Sequence, residues 1–187
     1  GRRVNVVSSN PSNPEAGEVW YNSTSGQLKG YVLGTASWTT GGSLNTKRSA
    51  TVAGTVNAGL ASFGYIYPPS SPEGGSYVTE EYNGTGFSTG GALPTATRSG
   101  GAAGTQTATI FAGGYDTANT AEAYTYNGTA WTGIPALNTA RRSLDQNMAG
   151  TTTAAIIAGG YIEPPHTANS EEYNGSSWSE GNNLNTA

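Results

Sequence analysis

Residues 121–141, AEAYTYNGTAWTGIPALNTAR, decide the reading of the whole chain, because each of their features returns elsewhere at a fixed distance. Trp131 follows Asn127 by four residues, Leu137 follows Trp131 by six, and Arg141 follows Leu137 by four. The same six-residue step joins Trp38 to Leu44, Phe87 to Leu93 and Trp178 to Leu184. Basic residues follow again at Arg48 and Arg98. One structural unit is therefore repeated along the chain.

Upstream features keep the same phase. Gly54, Gly104 and Gly150 each precede, by ten residues, the second glycine position of Phe63-Gly64-Tyr65, Gly113-Gly114-Tyr115 and Gly159-Gly160-Tyr161. Each unit closes on Glu80-Glu81-Tyr82-Asn83-Gly84, Tyr124-Thr125-Tyr126-Asn127-Gly128 or Glu171-Glu172-Tyr173-Asn174-Gly175. The aromatics Trp38, Phe87, Trp131 and Trp178 are spaced by 49, 44 and 47 residues, a period that belongs to blades of β-propellers. Length variation falls mainly between the Gly-Tyr and the Tyr-Asn-Gly.

The second repeat reads as four short strands over 99–104, 107–112, 121–126 and 129–137. Asn127-Gly128 predicts a type I′ hairpin turn with both residues at positive φ, joining the third strand to the fourth. Paired glycines end the second strand where side chains do not fit. Residues 108–112 and 154–157, rich in Ile, Ala, Thr and Phe, predict strands buried on both faces. The expected fold is all-β: tandem four-stranded antiparallel blades of a propeller, incomplete in this chain, preceded by a β-hairpin. Residues 1–17, with Pro11 and Pro14, read as an extended linker. Residues 18–47 read as a hairpin and a partial first blade, and 48–187 as three repeats over about 48–97, 98–140 and 141–187. The sequence stops where a further Arg-led unit belongs, which predicts a longer polypeptide whose later repeats complete the ring and whose copies assemble symmetrically.

Composition excludes several functions. Only 11% of residues are charged, against about 25% in an average soluble domain, and the formal net charge is -4 with no basic cluster beyond paired residues. A phosphate backbone finds no electrostatic footprint here, so nucleic acid is not an expected partner. There is no cysteine, hence no disulfide framework and no thiolate metal site. The longest apolar run, 154–158, is far shorter than the ~18 residues of a membrane span.

Across 48–187 the order of Arg, small-residue strand, strand ending in Gly-Gly-Tyr, Glu-x-Tyr strand and Trp strand resembles the kelch repeat. The idiom Asn-Gly-Thr-x-Trp followed by Leu-Asn-Thr-Ala-Arg, together with Gly17-Glu18-Val19-Trp20-Tyr21-Asn22-Ser23 and Gly26-Gln27-Leu28-Lys29, looks like the kelch-like arrays of virion and tail-fibre proteins from tailed bacteriophages, notably marine ones. That resemblance implies a non-enzymatic structural or host-recognition role in an extracellular virion appendage. The implied partners are other virion subunits and a host surface glycan or protein. It brings no catalytic residue and no cofactor. The copper oxidase chemistry hosted by kelch architectures needs a Tyr–Cys crosslink and histidine ligands, and this chain has no Cys and one histidine, His166.

Glu80, Glu81, Glu171 and Glu172 recur at one phase of two repeats, which points to scaffold pairing with Arg98 or Arg141 rather than to an acid and base. Asp116 and Asp145 are too isolated for a calcium site. Four sequons occur, at Asn22, Asn83, Asn127 and Asn174, three of them in the repeated hairpin turn, and turn chemistry explains them. Candidate binding positions lie in the variable loops, 65–77, 115–120 and 161–169: Tyr65, Tyr67, Tyr77, Tyr115, Asp116, Tyr161, Glu163 and His166. Loops held on a rigid scaffold commonly carry binding, and Pro68-Pro69 and Pro164-Pro165 lower the ordering cost of a contact. Plain variable connections are the alternative. A kelch-type interaction scaffold or bacterial surface adhesin competes with the virion reading, and a glycan-active propeller enzyme would need close, unrepeated carboxylates.

Overall fold

The computed structural model describes residues 4–13, 18–30, 40–66, 74–144, 147–162 and 166–186. Trp38, Tyr67, Asp145, Glu163 and both double prolines lie outside the described residues. Contacts divide the chain into two units, Gly1–Thr40 and Gly41–Ala187. Among the described residues every regular element is a strand.

In the first unit the expected hairpin is present, β2 (Val19–Asn22) pairing antiparallel with β3 (Gln27–Gly30). Asn22 Oδ1 accepts from the N–H groups of Thr24 and Ser25 and so shapes the turn. Part of the stretch read as linker is also a strand: β1 (Asn5–Val7) pairs parallel with β2. Asn10 closes this sheet, its Oδ1 accepting from Asn22 Nδ2 at 3.0 Å.

The second unit holds three four-stranded meanders. The first is β4 (Arg48–Thr55), β5 (Ala58–Ile66), β6 (Thr79–Tyr82) and β7 (Phe87–Thr89). The second is β8 (Gly101–Thr105), β9 (Ala108–Ala112), β10 (Ala123–Tyr126) and β11 (Trp131–Ile134). The third is β12 (Met148–Thr151), β13 (Ala154–Ala158), β14 (Ser170–Tyr173) and β15 (Trp178–Glu180). All neighbours are antiparallel, and the expected four strands per repeat are all found.

The core lies between successive sheets. Leu60 and Phe63 of the first sheet share one cluster with Phe111, Tyr126 and Trp131 of the second, and the Phe63 and Phe111 rings lie 4.2 Å apart. Ile110 and Ala103 of the second sheet share another with Ile157, Tyr173 and Trp178 of the third. Each large side chain so buried contributes about 1.5–3 kcal/mol. The recurring tryptophans are sheet-to-sheet residues, as their fixed phase predicts: Trp131 and Trp178 are 8% and 6% exposed. Trp131 Nε1 donates to Thr79 Oγ1 of the preceding sheet at 2.9 Å, and Trp178 Nε1 donates to the Pro135 carbonyl at 3.0 Å.

Two expectations are corrected. Asn127 is not at positive φ; only Gly128 is, at 88°. The turn is a four-residue loop, with Tyr126 paired to Trp131, because the Asn127 side chain takes over part of the turn's hydrogen bonding. Its Oδ1 accepts from Thr129 N and Ala130 N, both at 2.9 Å. Asn83 and Asn174 do the same, an Asx turn that leaves asparagine in ordinary backbone space. The second correction concerns β13, which is buried on one face only: Ile157 is inaccessible, packed in the cluster shared with the second sheet, and Ile156 on the opposite face is 41% exposed.

Candidate ligand-display surface

The recurring buried carboxylates, Glu80 and Glu171, are held by the scaffold. Glu171 Oε1 lies 2.7 Å from Arg141 Nη2, with both side chains inaccessible to solvent. Glu171 also accepts from the N–H groups of Asn138 and Thr139. Glu80 forms the same arrangement with Arg48 and with the N–H groups of Asn45 and Thr46. Burial pushes the Glu80 carboxyl upward, but the Arg48 hydrogen bond and the two backbone donors outweigh it and hold its pKa below the ordinary value. Arg141 is thus a scaffold partner, as expected. Arg98 is not the partner of Glu80, because it stands one residue later in its repeat: counted from the recurring leucine, Arg48 and Arg141 are fourth and Arg98 is fifth.

That displaced position builds a different structure. Arg98 lies over the rings of Tyr65 and Tyr115, at 5.5 and 4.7 Å from their centroids. Arg142, the fifth residue of the next repeat, lies over Tyr115 and Tyr161, at 4.6 Å from each. The result is a ladder, Tyr65, Arg98, Tyr115, Arg142, Tyr161, running across three sheets at the loop end of their second strands. Each contact of this type stabilises by about 0.5–1 kcal/mol at an exposed site. The backbone sets the spacing. Arg98 and Tyr115 exchange N–H to carbonyl hydrogen bonds of 3.1 and 2.8 Å, and Arg142 and Tyr161 exchange bonds of 3.0 and 2.8 Å.

Glycine makes that exchange possible. Gly114 has φ 114°, and a Cβ there would lie 2.9 Å from the Arg98 carbonyl oxygen; Gly160 has φ 101°, and its Cβ would lie 2.8 Å from the Arg142 carbonyl. Only glycine lets the end of the second strand close on the arginine backbone.

Of the loop residues marked from sequence, Tyr65, Tyr115 and Tyr161 are brought into one ladder. His166 joins them, its exposed ring edge-on to Tyr161 at 5.4 Å. Asp116 sits beside Tyr115 and caps its own loop. Burial raises its pKa, but the Ala118 and Thr117 N–H groups and the Thr117 hydroxyl hold it below the ordinary value. Asn119 ties this loop to the next sheet, Nδ2 donating to the Tyr161 carbonyl at 3.1 Å. Tyr77 is exposed. Tyr67 and Glu163 lie outside the described residues. Arg98 and Arg142 were not marked as site residues, although counting from the leucine separates them from the scaffold arginines.

No group of three or more His, Cys, Asp or Glu side chains suited to a metal ion occurs among the described residues. The ladder interleaves three tyrosine rings with two guanidinium groups at the loop end of the three sheets, and Tyr65 and His166 are its exposed members.

No protein-family model matches the chain, and no curated protein does. Solved structures do match, 105 chains in all. One is the structure of YjhT, with a TM-score of 0.57 and 13% sequence identity. The alignment covers 88% of this chain and 51% of YjhT. The chain thus spans about half the length of that neighbour. At this identity the likeness concerns the fold, an all-β stack of blade-like sheets.

Proposed function

We propose that the protein is a non-enzymatic structural and host-recognition component of a tailed-phage virion, a tail fibre or similar appendage, and that its sheets belong to a closed kelch-like propeller. The tyrosine–arginine ladder carries this reading. It is a preformed contact surface on a scaffold whose recurring buried carboxylates are held by arginines. A surface ordered before contact loses little side-chain entropy on binding, and aromatic and arginine side chains are those that dominate binding interfaces. The Asn-Gly-Thr-x-Trp and Leu-Asn-Thr-Ala-Arg idioms, which resemble the phage arrays, support the virion assignment. The ligand is a host surface glycan or protein.

The experiment compares wild type with Tyr115→Ala and Arg142→Ala for binding to intact host cells and to a glycan array. Both substitutions are expected to weaken binding at least about 10-fold, the effect of losing one contact of about 1.4 kcal/mol, while the sheets stay folded. Equal binding by folded variants places recognition elsewhere. Absence of the protein from purified virions, read by mass spectrometry, overturns the virion assignment.

A further inference from the structure

Two neighbouring arginines of the third repeat are used in opposite ways. Arg141 is inaccessible to solvent, and its guanidinium donates to the carbonyls of Thr139, Gly159 and Asn169 and to Glu171. Arg142 is half-buried. Its guanidinium lies over the Tyr115 and Tyr161 rings, and among the described residues it makes no ion pair and no side-chain hydrogen bond. None of its nitrogens is among the buried atoms left without a partner, so its N–H groups are in contact with solvent. The rings fix where the cation stands and leave its N–H groups without an oxygen acceptor.

The backbone holds it in place. Ser143, the next residue, has φ 60°, a conformation that residues other than glycine adopt seldom, and Ser99 after Arg98 repeats it at 58°. Such residues persist where the surrounding structure over-determines them, and they gather at ligand clamps. Arg98 differs from Arg142 in having its Nη1 shut away from solvent. Asp116, beside Tyr115, is engaged with its own loop through the N–H groups of Thr117 and Ala118.

We propose that Arg142 is an oxyanion site and that the ligand of the ladder is an anionic polysaccharide, whose carboxylate or phosphate oxygens accept from the Arg142 guanidinium beside Tyr161 and the exposed ring of His166. The inference rests on the ladder being the recognition surface. A guanidinium presents its donors as a planar fork that matches a carboxylate or a phosphate with two parallel hydrogen bonds. The chain carries a formal net charge of -4, so a polyanion gains no long-range attraction and must be held locally. A sugar fits better than a peptide, because Arg98 with Tyr115 and Arg142 with Tyr161 direct their backbone N–H and carbonyl groups at one another. A peptide adding itself as a strand needs such groups free.

The test is calorimetric titration of the whole chain with oligogalacturonate, with the same oligosaccharide methyl-esterified at its carboxylates, and with a glycerol-phosphate teichoic acid. Wild type is expected to bind one of the two anionic probes, and which one binds tells carboxylate from phosphate. If it is the galacturonate, esterification should weaken binding at least about 10-fold, the effect of losing a hydrogen bond to a charged group, a comparison that needs no variant. Arg142→Gln should weaken binding of the anionic probe by at least about the same factor. Arg142→Lys keeps the charge without the fork and should fall between wild type and Arg142→Gln, both variants retaining the wild-type circular dichroism. No binding of either anionic probe, or binding that ignores Arg142→Gln, overturns the oxyanion site. Tighter binding of polyglutamate than of both anionic glycans overturns the polysaccharide and points to an acidic protein. In each of these cases the ladder reading stands if Tyr115→Ala still weakens binding to host cells, and falls if it does not.

Discussion

Tyr124 stands at the position in its repeat that Glu171 holds in the next, paired to Phe111 on β9 as Glu171 is paired to Ile157 on β13. Where Glu171 meets Arg141, the second repeat has Thr97 in the arginine's place and Pro94 in place of Asn138, whose N–H donates to the carboxylate. A proline has no N–H to give, so a buried carboxylate there would lack both its cation and one of its donors. The tyrosine is the consistent replacement.

Removing one member of the buried pair should therefore cost far more than changing the set. Arg141→Thr is expected to destabilise by about 3–5 kcal/mol, since it strands a buried carboxylate. The double variant Arg141→Thr with Glu171→Tyr, which copies the second repeat, should be more stable than that single variant. Urea unfolding of the three proteins measures both.

Acid should weaken the first sheet through Glu80. Its pKa in the folded protein is lowered, so its contribution is present above the unfolded value of about 4.3 and is lost as pH falls through the folded value. The melting temperature should drop over that window, and Glu80→Gln should flatten the drop while being less stable at neutral pH.

Tyr126 links two sheets, its hydroxyl donating to Glu81 Oε1 at 2.6 Å and accepting from Gly91 N at 3.2 Å. Burial, with the neighbouring Glu81 carboxylate, pushes its pKa up to about 12. A raised pKa means stability that is complete below the unfolded value of about 10 and lost as pH rises through the folded one. Tyr126→Phe should cost about 1.5–3 kcal/mol, the worth of a hydrogen bond to a charged group. Spectrophotometric titration should lose its latest phenol.

Gly114 tests the ladder. Gly114→Ala places a methyl against the Arg98 carbonyl at positive φ and should cost about 1–3 kcal/mol, with loss of near-ultraviolet dichroism from Tyr115. Gly86 has nothing within 4 Å of its added Cβ. Gly86→Ala should be close to silent, and an equal loss at both glycines would show that the ladder spacing is not set at Gly114.

The repeat, its four strands, the hairpin ahead of it and the burial of Trp131 and Trp178 were all legible in the chain. They rest on local periods and on one aromatic at one phase, which any packing of like units must treat alike. Tyr65, Tyr115 and Tyr161 were legible as loop tyrosines. Their union through Arg98 and Arg142 was not, because it depends on a one-residue offset from the leucine that matters only when neighbouring sheets lie side by side. The asparagine conformation in the turns was misread for a related reason: Asn-Gly favours type I′ in isolation, but a four-residue loop lets the side chain accept the hydrogen bonds instead. Ile156 shows the division best. Its repeat phase marks it for burial, and the sequence determines that phase; burial at that phase requires contact with another sheet, and only the tertiary structure shows that Leu60 and Ile110 have that contact while Ile156 is 41% exposed.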